Sequence, residues 1–147
     1  MVKHRSYKRF IGYSTAFRQW KADSHCSKIH GYAFCFKVWF EGELDDNGWV
    51  IDFGCFKRNG VKEWLKYMFD HTTCISADDP ELEMFQEMDK REIIDLRVFD
   101  DGVGCEKFAK YIADFLQEIV HNETDGRVKV HKVQVWEHND NMAEYIV

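Results

Sequence analysis

The chain has 147 residues, of which 45% are apolar and 31% are charged, the balance of a single globular domain. Aromatic residues make up 16%, enough for a sizeable core, and the formal net charge of −6 argues against nucleic-acid binding, which needs many phosphate contacts. The apolar runs are too short for a membrane helix, and none follows the basic start, so neither a membrane partner nor a secretory signal is expected.

Charge is unevenly distributed along the chain. Residues 78–101 carry ten acidic and three basic side chains, a local charge of −7, whereas the first 28 residues carry +6. The basic start could attract a small anionic substrate such as a phosphate ester, or it could be a solvated edge. The acidic insert is expected to cover the mouth of the site or a surface between subunits.

The cysteines indicate a reducing compartment. There are five, an odd number with no CxxC pair, which is typical of free thiols in a cytoplasmic protein. Cys35, between two phenylalanines, reads as a small buried hydrophobe.

In the first half of the chain, alternating apolar residues predict two strands, Tyr7–Phe17 and Gly31–Glu43. Asp46-Asn47-Gly48 is a hairpin signal, so Trp49–Phe53 is expected to return as a third strand. The period then becomes helical across Phe56–Phe69.

The second half alternates between helices and strands. A short helix (Pro80–Met88) and a short strand (Ile93–Phe99) are predicted in the acidic segment, followed by a strongly amphipathic helix, Glu106–Ile119. The strand Val128–Glu137 changes phase near His131, which a bulge would explain, and Ala143–Val147 closes the chain as a last strand. The element order predicts an α+β domain, an antiparallel sheet with both helices on one face.

One loop concentrates groups with acid–base chemistry. Cys26 lies between His25 and His30, with Lys28 nearby. Neighbouring cations lower the pKa of a thiol, so Cys26 is a candidate base or nucleophile; an inert thiol in a surface loop is the alternative.

Two further candidates lie at the ends of predicted elements. The Asp70 carboxylate can orient the adjacent His71 ring as a general acid–base pair, although a histidine at a helix C-terminus is favourable in itself. Glu137 is the last residue of an apolar predicted strand. A carboxylate at this position can accept paired hydrogen bonds from an amidine-like ring; the alternative is a solvated residue at the edge of the sheet.

Five motifs, in this order, resemble the family of 6-pyruvoyltetrahydropterin and 6-carboxytetrahydropterin synthases. They are residues 14–18 (STAFR), 26–32 (CSKIHGY), 48–53 (GWVIDF), 69–71 (FDH) and 133–137 (VQVWE), with Glu106 heading its helix between the last two. The resemblance covers nearly the whole chain.

The resemblance implies the tunnelling fold, or T-fold: an antiparallel four-stranded sheet with two helices on one face, which oligomerises into a β-barrel. It suggests a homo-oligomer, a hexamer, with sites between subunits, and a substrate derived from 7,8-dihydroneopterin triphosphate. Queuosine-type, biopterin and folate-like syntheses all use related ligands.

The resemblance also assigns roles to individual residues. Cys26 matches the proton-abstracting cysteine of the family, and Asp70 and His71 match its acid–base partners. Glu137 matches the residue that anchors the pterin ring. Glu106 matches the substrate-binding carboxylate of a short Pro-Thr-x-Glu-like motif, whose Pro and Thr are replaced here by Val103 and Gly104.

The family's zinc site is where this sequence departs from the pattern. Family members bind catalytic zinc with three histidines, and the corresponding positions here are Phe17, His30 and Tyr32. A catalytic zinc needs about three protein ligands, so the sequence predicts that the zinc site is lost; His25 could substitute only with a rearranged geometry.

These observations predict a 6-carboxy- or 6-pyruvoyltetrahydropterin synthase-like lyase. Its substrate would be 7,8-dihydroneopterin triphosphate or a related pterin, with altered or metal-free chemistry such as retro-aldol cleavage or epimerisation. The main alternative is a non-catalytic pterin- or purine-binding protein. A GTP cyclohydrolase-like activity is a third possibility. That activity also relies on zinc held by cysteine and histidine ligands, so the missing histidines count against it equally.

Overall fold

A computed structural model describes residues 2–147 and shows one six-stranded sheet with helices packed against it. The strands are β1 (His4–Phe17), β2 (His30–Gly42), β3 (Thr72–Ser76), β4 (Leu96–Phe99), β5 (Val128–His138) and β6 (Asn141–Ile146). The helices are α1 (Cys55–Arg58), α2 (Val61–Phe69), α3 (Leu82–Lys90) and α4 (Cys105–Glu123), and a single 3₁₀ turn spans His25–Ser27.

The sheet is mixed, with strand order β4-β3-β1-β2-β5-β6. The contacts β1–β2, β2–β5 and β5–β6 are antiparallel, whereas β1–β3 and β3–β4 are parallel. The α+β class is therefore confirmed, but the predicted antiparallel four-stranded sheet is only part of a larger one. β3 was not predicted because all five of its residues are buried, which leaves no alternation to detect.

The segment Trp49–Phe53 is not the strand that the hairpin signal predicted. The tight turn itself is present, since Gly48 donates to the Asp45 carbonyl at 2.9 Å and has φ +80°. Beyond it, the Val50 carbonyl accepts from the Arg127 guanidinium at 2.9 Å. The Arg127 side chain therefore provides the hydrogen bond that a partner strand would otherwise donate to the Val50 carbonyl.

The other predicted elements are present with shifted ends. The helix predicted over Phe56–Phe69 is divided into α1 and α2 at Gly60, whose φ of +67° ends the helical path. The bulge at His131 is confirmed: Trp39 pairs with Lys132 and the next pair is Phe40 with Val130, which leaves His131 unmatched.

Helices α1, α2 and α4 cover one face of the sheet at β2. Successive inward-facing phenylalanines of β2 contact different helices. The ring centroid of Phe34 lies 5.8 Å from that of Phe108 in α4, and the ring centroid of Phe36 lies 5.1 Å from that of Phe69 in α2. Phe40, the last of the row, lies 5.3 Å from Phe56 of α1. Within residues 2–147, no helix has the combination of length and apolarity needed to cross a membrane.

Candidate active site

A cavity of about 440 Å³ opens where β1 ends and β2 begins. Its lining contains six residues singled out from the sequence: Phe17, Cys26, His30, Tyr32, Glu106 and Glu137. They meet because the end of β5, the start of β2 and the first turn of α4 converge at this edge of the sheet. Asp70 and His71 are not part of the lining.

The turn that carries Cys26 is held by a residue that the sequence did not suggest. Gln19 N–H donates to the Cys26 carbonyl at 2.8 Å, and the Gln19 side-chain amide donates to the Val103 carbonyl at 2.9 Å. Ser24 accepts from the Cys26 N–H at 3.3 Å. Gln19 thus ties the Cys26 turn to the loop that leads into α4.

Glu137 is positioned by two neighbours, which sequence reasoning also missed. Asn141 Nδ2 donates to Glu137 Oε1 at 3.1 Å, and Cys105 Sγ lies 3.9 Å from Oε2. Burial and the nearby Glu137 carboxylate raise the pKa of Cys105 to about 12, so its thiol stays protonated. Of the two cysteines in the cavity, Cys26 is therefore the candidate base. The only sequence signal for Cys105 was its position next to Glu106.

Tyr32 supplies a hydroxyl to the same cavity. Its pKa is raised by burial and then by the charge of Glu137, so the phenol remains protonated at neutral pH. A protonated phenol can donate a hydrogen bond to a bound oxygen.

Asp70 and His71 form the predicted pair, but away from Cys26. Asp70 Oδ1 accepts from the Ser14 N–H at 3.2 Å and lies 3.0 Å from His71 Nδ1. The Ser14 hydrogen bond is the main cause of the lowered pKa of Asp70, so the carboxylate stays ionised and orients the ring. The His71 side chain is 83% exposed. Within one chain, the His71 ring therefore faces outward, whereas the Asp70 side chain is only 20% exposed.

The residues present do not fit a three-histidine zinc centre. Phe17 is 3% exposed, and its ring packs 4.7 Å from that of His30 and 5.7 Å from that of Phe108, so this position belongs to the core. His30 Nδ1 lies 2.7 Å from the Lys28 carbonyl and must donate to it, which leaves one ring nitrogen available. Within residues 2–147, no three His, Cys, Asp or Glu side chains are grouped as metal ligands.

The acidic segment lies beside the cavity. Asp78, Asp100 and Asp101 line a neighbouring cleft of about 360 Å³, which shares Gln19 with the cavity. That the acidic segment covers the mouth of the site, or a surface between subunits, stays a prediction.

Comparison with known proteins identifies the family. The family model described as 6-pyruvoyl tetrahydropterin synthase matches residues 7–146. The chain belongs to this family. The match confirms the family predicted from the motifs and, with it, the predicted class of enzyme, a lyase of the tetrahydropterin synthase type.

Relatives within the 6-pyruvoyl tetrahydropterin synthase family are distant in sequence. An Aquifex aeolicus protein named 6-carboxy-5,6,7,8-tetrahydropterin synthase is 27% identical, over 97% of this chain and 90% of its own. A protein of Pyrococcus horikoshii is 29% identical over 89% of this chain and 82% of its own.

Solved structures show the shared fold. An uncharacterised protein of Wolinella succinogenes superposes with a TM-score of 0.82 at 18% identity, covering 99% of both chains. The 6-pyruvoyl tetrahydropterin synthase of Caenorhabditis elegans gives 0.67 at 20% identity, over 100% of this chain and 97% of its own.

Proposed function

We propose that this protein is a lyase that acts, without zinc, on the side chain of 7,8-dihydroneopterin triphosphate or a related pterin. The observation that carries the proposal is the convergence of Cys26, Tyr32 and Glu137 on one cavity. Its volume of about 440 Å³ is in the range of small-molecule sites. The relatives named 6-carboxy-5,6,7,8-tetrahydropterin synthase favour a carboxypterin-type reaction.

Glu137 is the proposed anchor of the pterin ring. A carboxylate can accept two parallel hydrogen bonds from the ring's amino group and the adjacent ring N–H. Asn141 and Cys105, which contact one oxygen each, fix the rotation of this carboxylate before the ligand arrives. The side chain of the ligand then extends towards Cys26.

Cys26, as a thiolate, is the proposed base that removes a proton from the pterin side chain. The electron pair left behind is delocalised into the imine of the ring, which acts as the electron sink. Tyr32 donates a hydrogen bond to a side-chain oxygen, at a position where the family has a zinc-binding histidine. This step uses only groups of the chain and the ring itself.

His71, oriented by Asp70, is the proposed acid, and a second copy of the chain supplies it. The exposure of the His71 side chain, 83%, leaves it free to enter a neighbouring subunit's cavity. The proposal therefore requires a homo-oligomer, which the family resemblance suggests is a hexamer. The five free cysteines support a reducing, cytoplasmic setting.

The test measures turnover of 7,8-dihydroneopterin triphosphate by chelator-treated protein and identifies the products by mass. A parallel sample contains added zinc. Replacing Cys26 with alanine is expected to lower the rate by about 10²-fold or more, the usual contribution of a positioned base. Cys35→Ala is the matched control, because Cys35 is half-buried and does not line the cavity. Binding of the pterin without turnover in either sample would instead establish the non-catalytic pterin-binding alternative.

A further inference from the structure

Gln19 connects two walls of the cavity that lie far apart in sequence. Its backbone N–H donates to the Cys26 carbonyl at 2.8 Å, and its side-chain amide donates to the Val103 carbonyl at 2.9 Å. Cys26 belongs to one wall, and α4, which begins two residues after Val103, brings Cys105 and Glu106 to the other. The candidate base is therefore connected to the start of α4 through a single residue.

The residues on either side of Gln19 tie the same loop to a different part of the chain. The Arg18 guanidinium donates to Asp79 at 2.8 Å. The Trp20 indole N–H donates to Asp78 at 3.0 Å. These contacts attach the loop to the acidic segment without the Gln19 amide. Loss of the amide bond should therefore shift the loop relative to α4 and leave it folded.

Gly104 leaves the space that the Gln19 amide occupies. A Cβ atom at position 104 would overlap Gln19 Nε2 and lie 3.4 Å from Gln19 Cδ. Gly104 also has φ +120°, a conformation that residues with a side chain rarely adopt. In the Pro-Thr-x-Glu-like motif, this is the position of the threonine that the chain lacks. The bridge from Gln19 to Val103 thus requires that position 104 carries no side chain.

The bridge holds the base and not the anchor of the ring. Under the proposed function, Cys26 removes the proton while Glu137 holds the pterin. The Gln19 amide bonds to Val103, whereas Asn141 donates to Glu137 at 3.1 Å. A misplacement of about 1 Å at a reacting group can cost on the order of 10²-fold in rate. Loss of the amide bond should therefore displace the base and leave the ring in place.

We propose that Gln19 is a positioning residue for this reaction. Its amide, packed against Gly104, holds the Cys26 turn at the distance from α4 at which the thiolate reaches the pterin side chain. The proposal rests on the proposed function, because it takes Cys26 as the base. Gln19 and Gly104 are then a coupled pair, since the amide needs the space that the glycine leaves.

The experiment compares Gln19→Met with the full-length, chelator-treated parent protein, using 7,8-dihydroneopterin triphosphate. Methionine keeps the length of the side chain but has no N–H, so the bond to Val103 is lost. The kcat is expected to fall about tenfold or more, because the base is misplaced. The KM should change less than about threefold, because binding of the ring is retained. Circular dichroism establishes that the variant is folded.

Gln117→Met is the matched control. Gln117 lies in α4, twelve residues after Cys105, which places it about 18 Å along the helix from the cavity wall. The substitution is the same, so any general effect of replacing a glutamine amide is shared by the two variants. Gln117→Met should leave both kcat and KM unchanged.

Variants of Gly104 test the coupling. Gly104→Ala places a methyl group against the Gln19 amide and is expected to lower kcat by a similar factor. In a Gln19→Ala background the amide is gone, and the remaining neighbour of the added methyl group, Glu106 Oε2, lies 3.8 Å away. Backbone strain at position 104 is common to both backgrounds. The effect of Gly104→Ala on kcat should therefore be at least about threefold smaller in the Gln19→Ala background.

Three results would overturn the proposal while the proposed function stands. They are an unchanged kcat in Gln19→Met, a raised KM at constant kcat, and equal effects of Gly104→Ala in both backgrounds. The first, combined with a lower urea midpoint, would give Gln19 a purely structural role. If the parent protein turns over no pterin with or without added zinc, the proposed function itself fails, and the positioning role fails with it.

Discussion

Arg18 holds the buried carboxylate of Asp79 through two hydrogen bonds, Nε to Oδ2 at 2.8 Å and Nη2 to Oδ1 at 2.5 Å. The Asp79 side chain is 1% exposed, and its Oδ1 also accepts from the Glu81 N–H at 2.8 Å. Arg18 follows β1 directly, and its Nη1 lies 3.4 Å from the Ser27 carbonyl, next to Cys26. This ion pair therefore joins the acidic segment to the turn that carries the candidate base.

Arg18→Met should be strongly destabilising. Removing one partner leaves the Asp79 carboxylate buried without its counter-charge, which costs about 3 kcal/mol of unfolding free energy. The measurement is urea unfolding of the variant and the parent protein, followed by circular dichroism at neutral pH.

The double variant Arg18→Met/Asp79→Leu is the control. It removes both charges, so it should recover much of the lost stability. If Arg18→Met unfolds at the same urea concentration as the parent protein, the ion pair does not anchor the acidic segment.

Cysteine labelling separates the two thiols of the cavity. The pKa of Cys105, about 12, leaves about one thiolate in 10⁴ at pH 8, and burial raises the pKa of Cys74 to about 12 as well. Iodoacetamide at pH 8 is therefore expected to modify Cys26 well before either of them, as measured by peptide mass mapping over time. Labelling of Cys105 as fast as Cys26 would remove the reason for choosing Cys26 as the base.

The elements that the sequence predicted well are those with a one-sided burial pattern. In β2, alternate residues contact the helices. In β5, a break in the same alternation predicted the bulge at His131. β3 lacks this pattern because it is buried on both faces. The strand predicted over Trp49–Phe53 was wrong for a different reason. The side chain of Arg127, which is distant in sequence, donates to the Val50 carbonyl in place of a partner strand.

The same limit applies to the site. Cys26 and Glu137 could be selected as candidates because both belong to local motifs, and the structure places both in the lining of the cavity. Gln19 and Cys105 could not, since Gln19 acts by bridging the Cys26 turn to Val103, and Cys105 acts through its contact with Glu137. Contacts of this kind exist only after the chain has folded.

Asp70 should contribute stability that depends on pH. Its pKa is lowered mainly by the Ser14 N–H, so the folded state binds a proton less readily than the unfolded state. The contribution is complete above the unfolded value of about 4 and is lost as the pH falls through the lower folded value.

Asp70→Asn, which keeps the shape of the side chain and an acceptor for Ser14, is expected to lose less stability than the parent protein between pH 5 and pH 2. The comparison uses urea midpoints across this range. Equal losses in the two proteins would show that the Ser14 hydrogen bond does not favour the ionised form.

Histidines at two positions should complete a three-histidine zinc site in this chain. Phe17 pairs directly with His30 across β1 and β2, and Tyr32 lies two residues further along β2. Phe17→His/Tyr32→His is therefore expected to bind about one zinc per chain, because three histidines then face one point. Metal analysis after dialysis measures the gain, and a cobalt-substituted sample should show the absorption of a tetrahedral site.

The controls separate a metal site from damage to the core. Phe17 packs against Phe34 and Phe108, so circular dichroism must first show that the double variant is folded. Adding His30→Ala should abolish zinc binding, and Phe17→His alone, with two histidines, should bind it at least tenfold more weakly. Stoichiometric zinc in the parent protein, lost on His30→Ala, would instead show that the chain keeps a metal centre despite its two aromatic replacements.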